Sequence, residues 1–91
     1  MSNGIENKVI LITGGSTGLG AETARFLASR GAKVAVAARR KTKLDEVVTD
    51  IHANGGTARA YELDVTDKAQ VEATVAAVVA DFGKIDVLIN N

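Results

Sequence analysis

The feature that most limits how this chain can fold is a change of pattern between residues 9 and 27, VILITGGSTGLGAETARFL. An apolar run suited to a buried strand gives way to Gly14, Gly15, Gly18 and Gly20, and these give way to helical spacing. Glycine inside a regular element costs about 0.5–1 kcal/mol relative to alanine. Its repetition here implies a turn whose backbone has to be bare. At a strand-to-helix turn the helix offers unpaired N–H groups and the positive end of its dipole, so a phosphate fits. Gly14 would make the tight turn, Gly18 would admit phosphates to the backbone, and Gly20 would let helix and strand approach closely. A Walker-type loop needs Lys followed by Ser or Thr after its last glycine; Ala21 and Glu22 stand there instead. The plainer alternative is a glycine-rich turn that holds no ligand.

The rest of the chain repeats the same alternation. Lys8–Thr13 reads as a buried strand, and a helix from Gly18 to Arg30 carries Ala24, Leu27 and Ala28 on one face, with Gly31 as its stop. Lys33–Ala38 is a second strand. A second helix follows with Leu44, Val47, Val48 and Ile51 in register, Thr42 as its expected N-cap, and Asp45 and Glu46 in its first turn. Ala58–Asp64 is the third strand, and Thr66 or Asp67 caps a third helix with an expected stripe of Val71, Val75, Val78, Val79 and Phe82. The run FGKID breaks that helix, and Val87–Ile89 begins a fourth strand. The order β-α-β-α-β-α-β with short connections predicts an α/β chain with a doubly wound parallel sheet. Right-handed crossovers predict strand order 3-2-1-4.

Composition excludes several classes. Eleven basic and eleven acidic residues cancel, so no overall field favours nucleic acid or an anionic membrane. Three aromatics, Phe26, Tyr61 and Phe82, are too few for a base-stacking platform. Cysteine is absent, which removes disulfides and thiolate metal sites, and no other cluster has metal-ligand spacing. No signal pattern opens the chain and no apolar run approaches the ~20 residues a bilayer requires. A cytoplasmic location is the expectation.

TGGSTGLG, residues 13 to 20, resembles the TGxxxGxG signature of the short-chain dehydrogenase/reductase family. LDVTD, residues 63 to 67, resembles that family's adenine-contacting segment, and the final Asn90-Asn91 resembles the start of its NNAG motif. The three occur in the family's order and strand positions, and the resemblance covers the whole chain. It implies a Rossmann-type cofactor-binding half, 1–91, of a longer oxidoreductase. The backbone at Gly14, Ser16, Thr17, Gly18 and Leu19 would line the phosphates and adenosine ribose. Asp64 would accept from the adenine amino group with Val65 beside the ring, Asn91 would lie against the cofactor ribose, and Asn90 would tie strands together. Each has a plainer reading: a helix-capping Asp64 and a turn at Asn90-Asn91.

The end of the second strand bears on cofactor choice. A fold selecting NAD usually has Asp or Glu there for the ribose hydroxyls. Here Ala38 is followed by RRKTK. Lack of an acid, with Arg39 adjacent and Arg40 able to share the load, favours NADP(H) over NAD(H), since a guanidinium donates two parallel bonds to phosphate. The basic run is expected in the loop before Thr42; a solvated charged turn is the alternative. Many NADP-using relatives carry Arg or Lys where this chain has Thr17.

No catalytic residue is assigned. The family's Ser, Tyr-x-x-x-Lys and further Asn follow NNAG; Tyr61 has Val65 four places on, and His52 sits at a helix end with a solvated or capping role. The expectation is a fragment of an NADP(H)-dependent reductase acting on a small carbonyl or alcohol, a homo-oligomer in its complete form. A non-catalytic dinucleotide-binding or sensor module is the alternative. A methyltransferase-like Rossmann domain would want an acid near Ala38.

Overall fold

The computed structural model describes residues 4–16 and 18–91. Its elements are β1 (Val9–Thr13), α1 (Gly18–Ser29), β2 (Lys33–Ala38), α2 (Lys41–Ala53), β3 (Thr57–Glu62), α3 (Lys68–Phe82) and β4 (Val87–Asn90). All strand pairs are parallel and the sheet order is β3-β2-β1-β4. This is the expected doubly wound half.

Successive strand residues point to opposite faces, so a strand covered on both sides must be apolar throughout. That accounts for VILIT and for the buried Val34 to Ala37. Ile10, Ile12, Val34 and Val36 face α1 and α2, where Ala21, Ala24 and Ala28 meet Leu44, Val47 and Ile51. Val9, Leu11, Ala35 and Ala37 face the other way, onto Leu63 and Val78 of the α3 side. Alanines along α1 keep its axis close to the sheet, which brings its first turn next to the end of β1. Among the described residues no helix is long and apolar enough to cross a membrane.

Three local expectations need correcting. First, α2 starts at Lys41, with Arg40 in the N-cap position and no side-chain cap; Thr42 already lies inside the helix. Arg40 is extended (φ −98°, ψ 95°), and its carbonyl accepts from the Leu44 N–H at 3.2 Å, so the turn that seats Leu44 in the core is the first turn. Asp45 and Glu46 therefore fall in the second turn, where they pair with Lys41 (3.1 Å) and Lys43 (3.9 Å). Of the basic run only Arg39 and Arg40 stay off the helix. Second, β3 ends at Glu62 and not at Asp64, although the Leu63 N–H still donates to the Ala38 carbonyl at 2.8 Å.

Third, the stripe on α3 is narrower than its sequence suggests. Thr74 and Val78 are buried and Val71 and Phe82 are half-buried against the sheet, but Val75 and Val79 stand exposed on a flank. Val75 borders a hollow that it shares with Val65, Val71 and Leu88. Asp67 is the α3 cap, accepting from the Gln70 N–H at 3.2 Å, and Gly83 closes the helix.

Candidate functional site

Polar groups at the two ends of the sheet differ in kind. At the amino end, the Asp86 Oδ2 accepts from the Val9 N–H at 2.8 Å while the Asp86 N–H donates to the Val9 carbonyl, also at 2.8 Å. Lys84 adds an ion pair at 3.0 Å. The Val9 and Lys84 bonds hold the Asp86 carboxyl below the usual carboxylate range. These groups satisfy one another and fasten β4 to β1.

At the carboxyl end the chain turns sharply. Gly14 (φ +68°) and Gly18 (φ +56°) take the left-handed backbone that side chains disfavour. They differ in their surroundings. A Cβ at Gly14 would lie 2.9 Å from the Asn91 carbonyl oxygen, whereas a Cβ at Gly18 would meet nothing within 4 Å. Among the described residues, Gly18 is therefore bare without a neighbour that would crowd a side chain there. Gly20 is the close-approach residue: a Cβ there would overlap the Gly14 carbonyl oxygen and come within 2.8 Å of Asn91 Nδ2.

Beside this turn opens a cleft of about 310 Å³. Gly14, Ser16, Arg39, Arg40, Val65 and Asn91 line it, with Thr13, Ala38, Leu63 and Asn90 completing the walls. Six of the sequence-assigned residues thus share one cavity although they come from four different strand ends. Gly18, Leu19 and Gly20 form the first turn of α1 next to it, with Leu19 exposed. Thr17 lies outside the described residues. Asp64 sits between two cleft residues, Leu63 and Val65, without being part of the lining. Its Oδ1 accepts from the Thr66 N–H at 2.9 Å and the Thr66 hydroxyl at 2.6 Å. Those bonds chiefly, with a smaller contribution from the Arg39 charge, hold its carboxyl below the usual range. At neutral pH it is an acceptor only.

The two asparagines behave differently. Asn90 Oδ1 accepts from the Thr13 hydroxyl at 2.7 Å, linking β4 to β1, and Asn91 Nδ2 reaches the Gly14 carbonyl at 3.3 Å. Thr13 and Leu63 stand in the two quoted motifs without an assigned role, and Gln70 escaped the sequence reading. Thr13 and Leu63 look like ordinary strand-end residues, but Asp67-x-x-Gln70 is a capping pattern that could have drawn notice. Tyr61 belongs to neither site: its hydroxyl donates to Asp81 at 2.7 Å, and burial, with Asp81 adding to it, raises the phenol above its ordinary range. His52 Nε2 donates to the Ala58 carbonyl at 2.9 Å. A second hollow of about 360 Å³ lies at the far ends of α1 and α2. Its Arg25 and Asp50 already pair at 2.7 Å, which leaves little for a charged ligand to gain.

A family model for short chain dehydrogenases matches residues 8–91. The chain belongs to that family. An uncharacterized oxidoreductase of Mycobacterium bovis is 40% identical across the full chain, which spans 28% of that protein. A metagenomic short-chain oxidoreductase solved in complex with NADP superposes with a TM-score of 0.88 at 38% identity, over 92% of this chain and 38% of its own. L-Sorbose reductase of Gluconobacter frateurii, solved with NADPH and L-sorbose, gives 0.93 at 35% identity, over 100% of this chain and 35% of its own. This short-chain dehydrogenase segment thus spans about a third of the length of the proteins it matches. Its glycine turn, LDVTD segment and Asn90-Asn91 pair all lie within the matched residues.

Proposed function

We propose that this chain is the cofactor-binding half of a longer NADP(H)-dependent oxidoreductase that interconverts a small carbonyl compound and its alcohol. The observation that carries the proposal is Gly18. Its left-handed backbone and the open space around it stand at the start of α1, beside a cleft rimmed by Arg39 and Arg40. Bare N–H groups at a helix start suit a pyrophosphate, and the residues present fit one. The first turn of α1 would hold the pyrophosphate, with Ser16 beside it. Arg39, assisted by Arg40, would hold the 2′-phosphate of the adenosine ribose. Asp64 would take the adenine amino group on Oδ2, since both Thr66 bonds end on Oδ1. Val65 would wall the adenine, and Asn91 would face the ribose on the nicotinamide side. The cofactor supplies the hydride; this segment binds and orients it.

Lys41 and Lys43 lie on α2 near Asp45 and Glu46, and of the basic run Arg39 and Arg40 line the cleft. Ala38 contributes no carboxylate to repel a phosphate.

The test is reduction of a panel of small aldehydes and ketones by the protein as its reading frame encodes it, with NADPH and with NADH. NADPH-dependent turnover, with a Tyr-x-x-x-Lys beyond residue 91 and none in the isolated 91-residue chain, is the expected result. Binding of NADPH without turnover and without that motif would instead favour a sensor module. The isolated chain is expected to associate, because β4 is a sheet edge carrying exposed Val87 and Leu88. Concentration-dependent light scattering checks this.

A further inference from the structure

The side chain of Gln70 is aimed at an unexpected partner. In the usual Asp/Ser-x-x-Gln capping arrangement the glutamine side chain reaches back to the N–H of the cap residue itself. Here that N–H, on Asp67, is taken by the Asp64 carbonyl at 3.0 Å. Gln70 Oε1 instead accepts from the Asp64 N–H at 3.0 Å, three residues further upstream, while Gln70 Nε2 donates to Asp67 Oδ2 at 3.2 Å. One amide therefore bridges the start of α3 to the residue immediately after the Leu63 anchor on β2. Asp64 is held at its N–H by Gln70, at its carboxylate by Thr66 and at its carbonyl by Asp67.

We propose that Gln70 is a positioning residue for the adenosine end of the cofactor, acting through the Asp64–Val65 turn. This rests on the dinucleotide reading above. Val65 is 56% exposed at the cleft wall, so packing alone does not fix it. What fixes the turn is hydrogen bonding, and Gln70 supplies the only side chain among the described residues that bonds the Asp64 N–H. A role confined to capping α3 would not need that bond, because Asp67 already caps the helix with Oδ1. Releasing the amide frees the Asp64 N–H to turn toward water and lets Val65 leave the cleft wall.

The experiment compares Gln70→Met, which keeps length and removes both hydrogen bonds, with wild type in the protein as encoded. Binding is measured by calorimetry with NADPH, with 2′,5′-ADP, and with reduced nicotinamide mononucleotide, which has no adenosine. Loss of the bond to the Asp64 N–H should weaken NADPH and 2′,5′-ADP by about 3- to 10-fold. Reduced nicotinamide mononucleotide should bind as before, and the thermal midpoint should hardly move because the side chain is exposed. Asp67→Ser keeps a cap but removes the anchor of Gln70 Nε2, and should give a smaller loss in the same direction even where Gln70→Met fails to fold. Unchanged 2′,5′-ADP affinity in both variants overturns the proposal, as does an equal loss for all three ligands. Wild-type protein that binds no NADPH overturns the dinucleotide reading and this inference with it.

Discussion

The two ends of the sheet carry similar residue types and use them oppositely. At the amino end Asp86, Lys84 and the Val9 backbone bond one another within 3.0 Å. At the carboxyl end the Arg39 and Arg40 side chains enter no ion pair or hydrogen bond among the described residues, the Arg39 charge reaching Asp64 only at a distance, and Gly18 faces open space. Charge that is internally paired stabilises the chain; charge that borders a cleft beside bare backbone is available to something outside it. On the proposed reading, the same acid and base chemistry supports folding at one end and recognition at the other.

The largest break in this comparison should come from Gly20→Val. The added side chain would run into the Gly14 carbonyl and Asn91, so the turn must deform. Overpacking of this kind costs about 1–3 kcal/mol or more. Both stability and NADPH binding should fall, binding by about 100-fold or beyond if the turn loses its shape. Gly18→Val makes the contrast: its own surroundings are open, so the free protein bears mainly the left-handed backbone cost of about 1–2 kcal/mol. Its affinity for either dinucleotide should fall by far more than that stability loss accounts for. Calorimetry paired with thermal unfolding separates the two glycines.

Next in size is Arg39→Ala. A charge-assisted hydrogen bond contributes about 1.5–3 kcal/mol, so NADPH affinity should drop by roughly 10–150-fold. NADH affinity should barely change, and melting should not. Equal loss for both cofactors would reduce the loop to a solvated charged turn.

Asp86→Ala should do the reverse, lowering the unfolding midpoint while leaving NADPH affinity unchanged. The Asp86 pKa in the fold lies below its ordinary value of 3.8. Its contribution is therefore complete above that value and disappears as pH falls through the depressed one. The Asp64 carboxyl is also held below its ordinary value, chiefly by its Thr66 bonds. Subtracting the acid-unfolding curve of Asp86→Ala from that of wild type should isolate the amino-end carboxylate, with the two curves converging at the lowest pH.

The smallest effect is expected for Val79→Ala, within about 0.5 kcal/mol in this chain, as for an exposed position. That number bears on what could be read from sequence. The periodicity of α2 and of α3 looked alike, yet Leu44, Val47 and Ile51 are buried while Val75 and Val79 are not. A helical stripe reports that a residue has an apolar face, and the partner for that face need not be in the same segment. Sheet order followed from the alternation of elements and crossover handedness, neither of which depends on such a partner. The start of α2 was misjudged because a cap-forming threonine is a local preference, and the helix begins two residues earlier, with Arg40 as its cap and the buried Leu44 closing its first turn.

The cleft was legible because its residues sit at strand ends, which the alternation located. Gln70 was not, since its proposed role comes from a side-chain bond across the turn and not from its place on a strand.

The central claim is that the carboxyl end of the sheet is the nucleotide cradle. Amide chemical-shift mapping of the protein as encoded, titrated with NADPH, tests it most directly. Shifts should concentrate at Gly14, Ser16, Gly18, Arg39, Val65 and Asn91, with Val9 and Asp86 unmoved. Shifts gathered instead around Arg25, Asp50 and Gly56, or no saturable shifts at all, would contradict it.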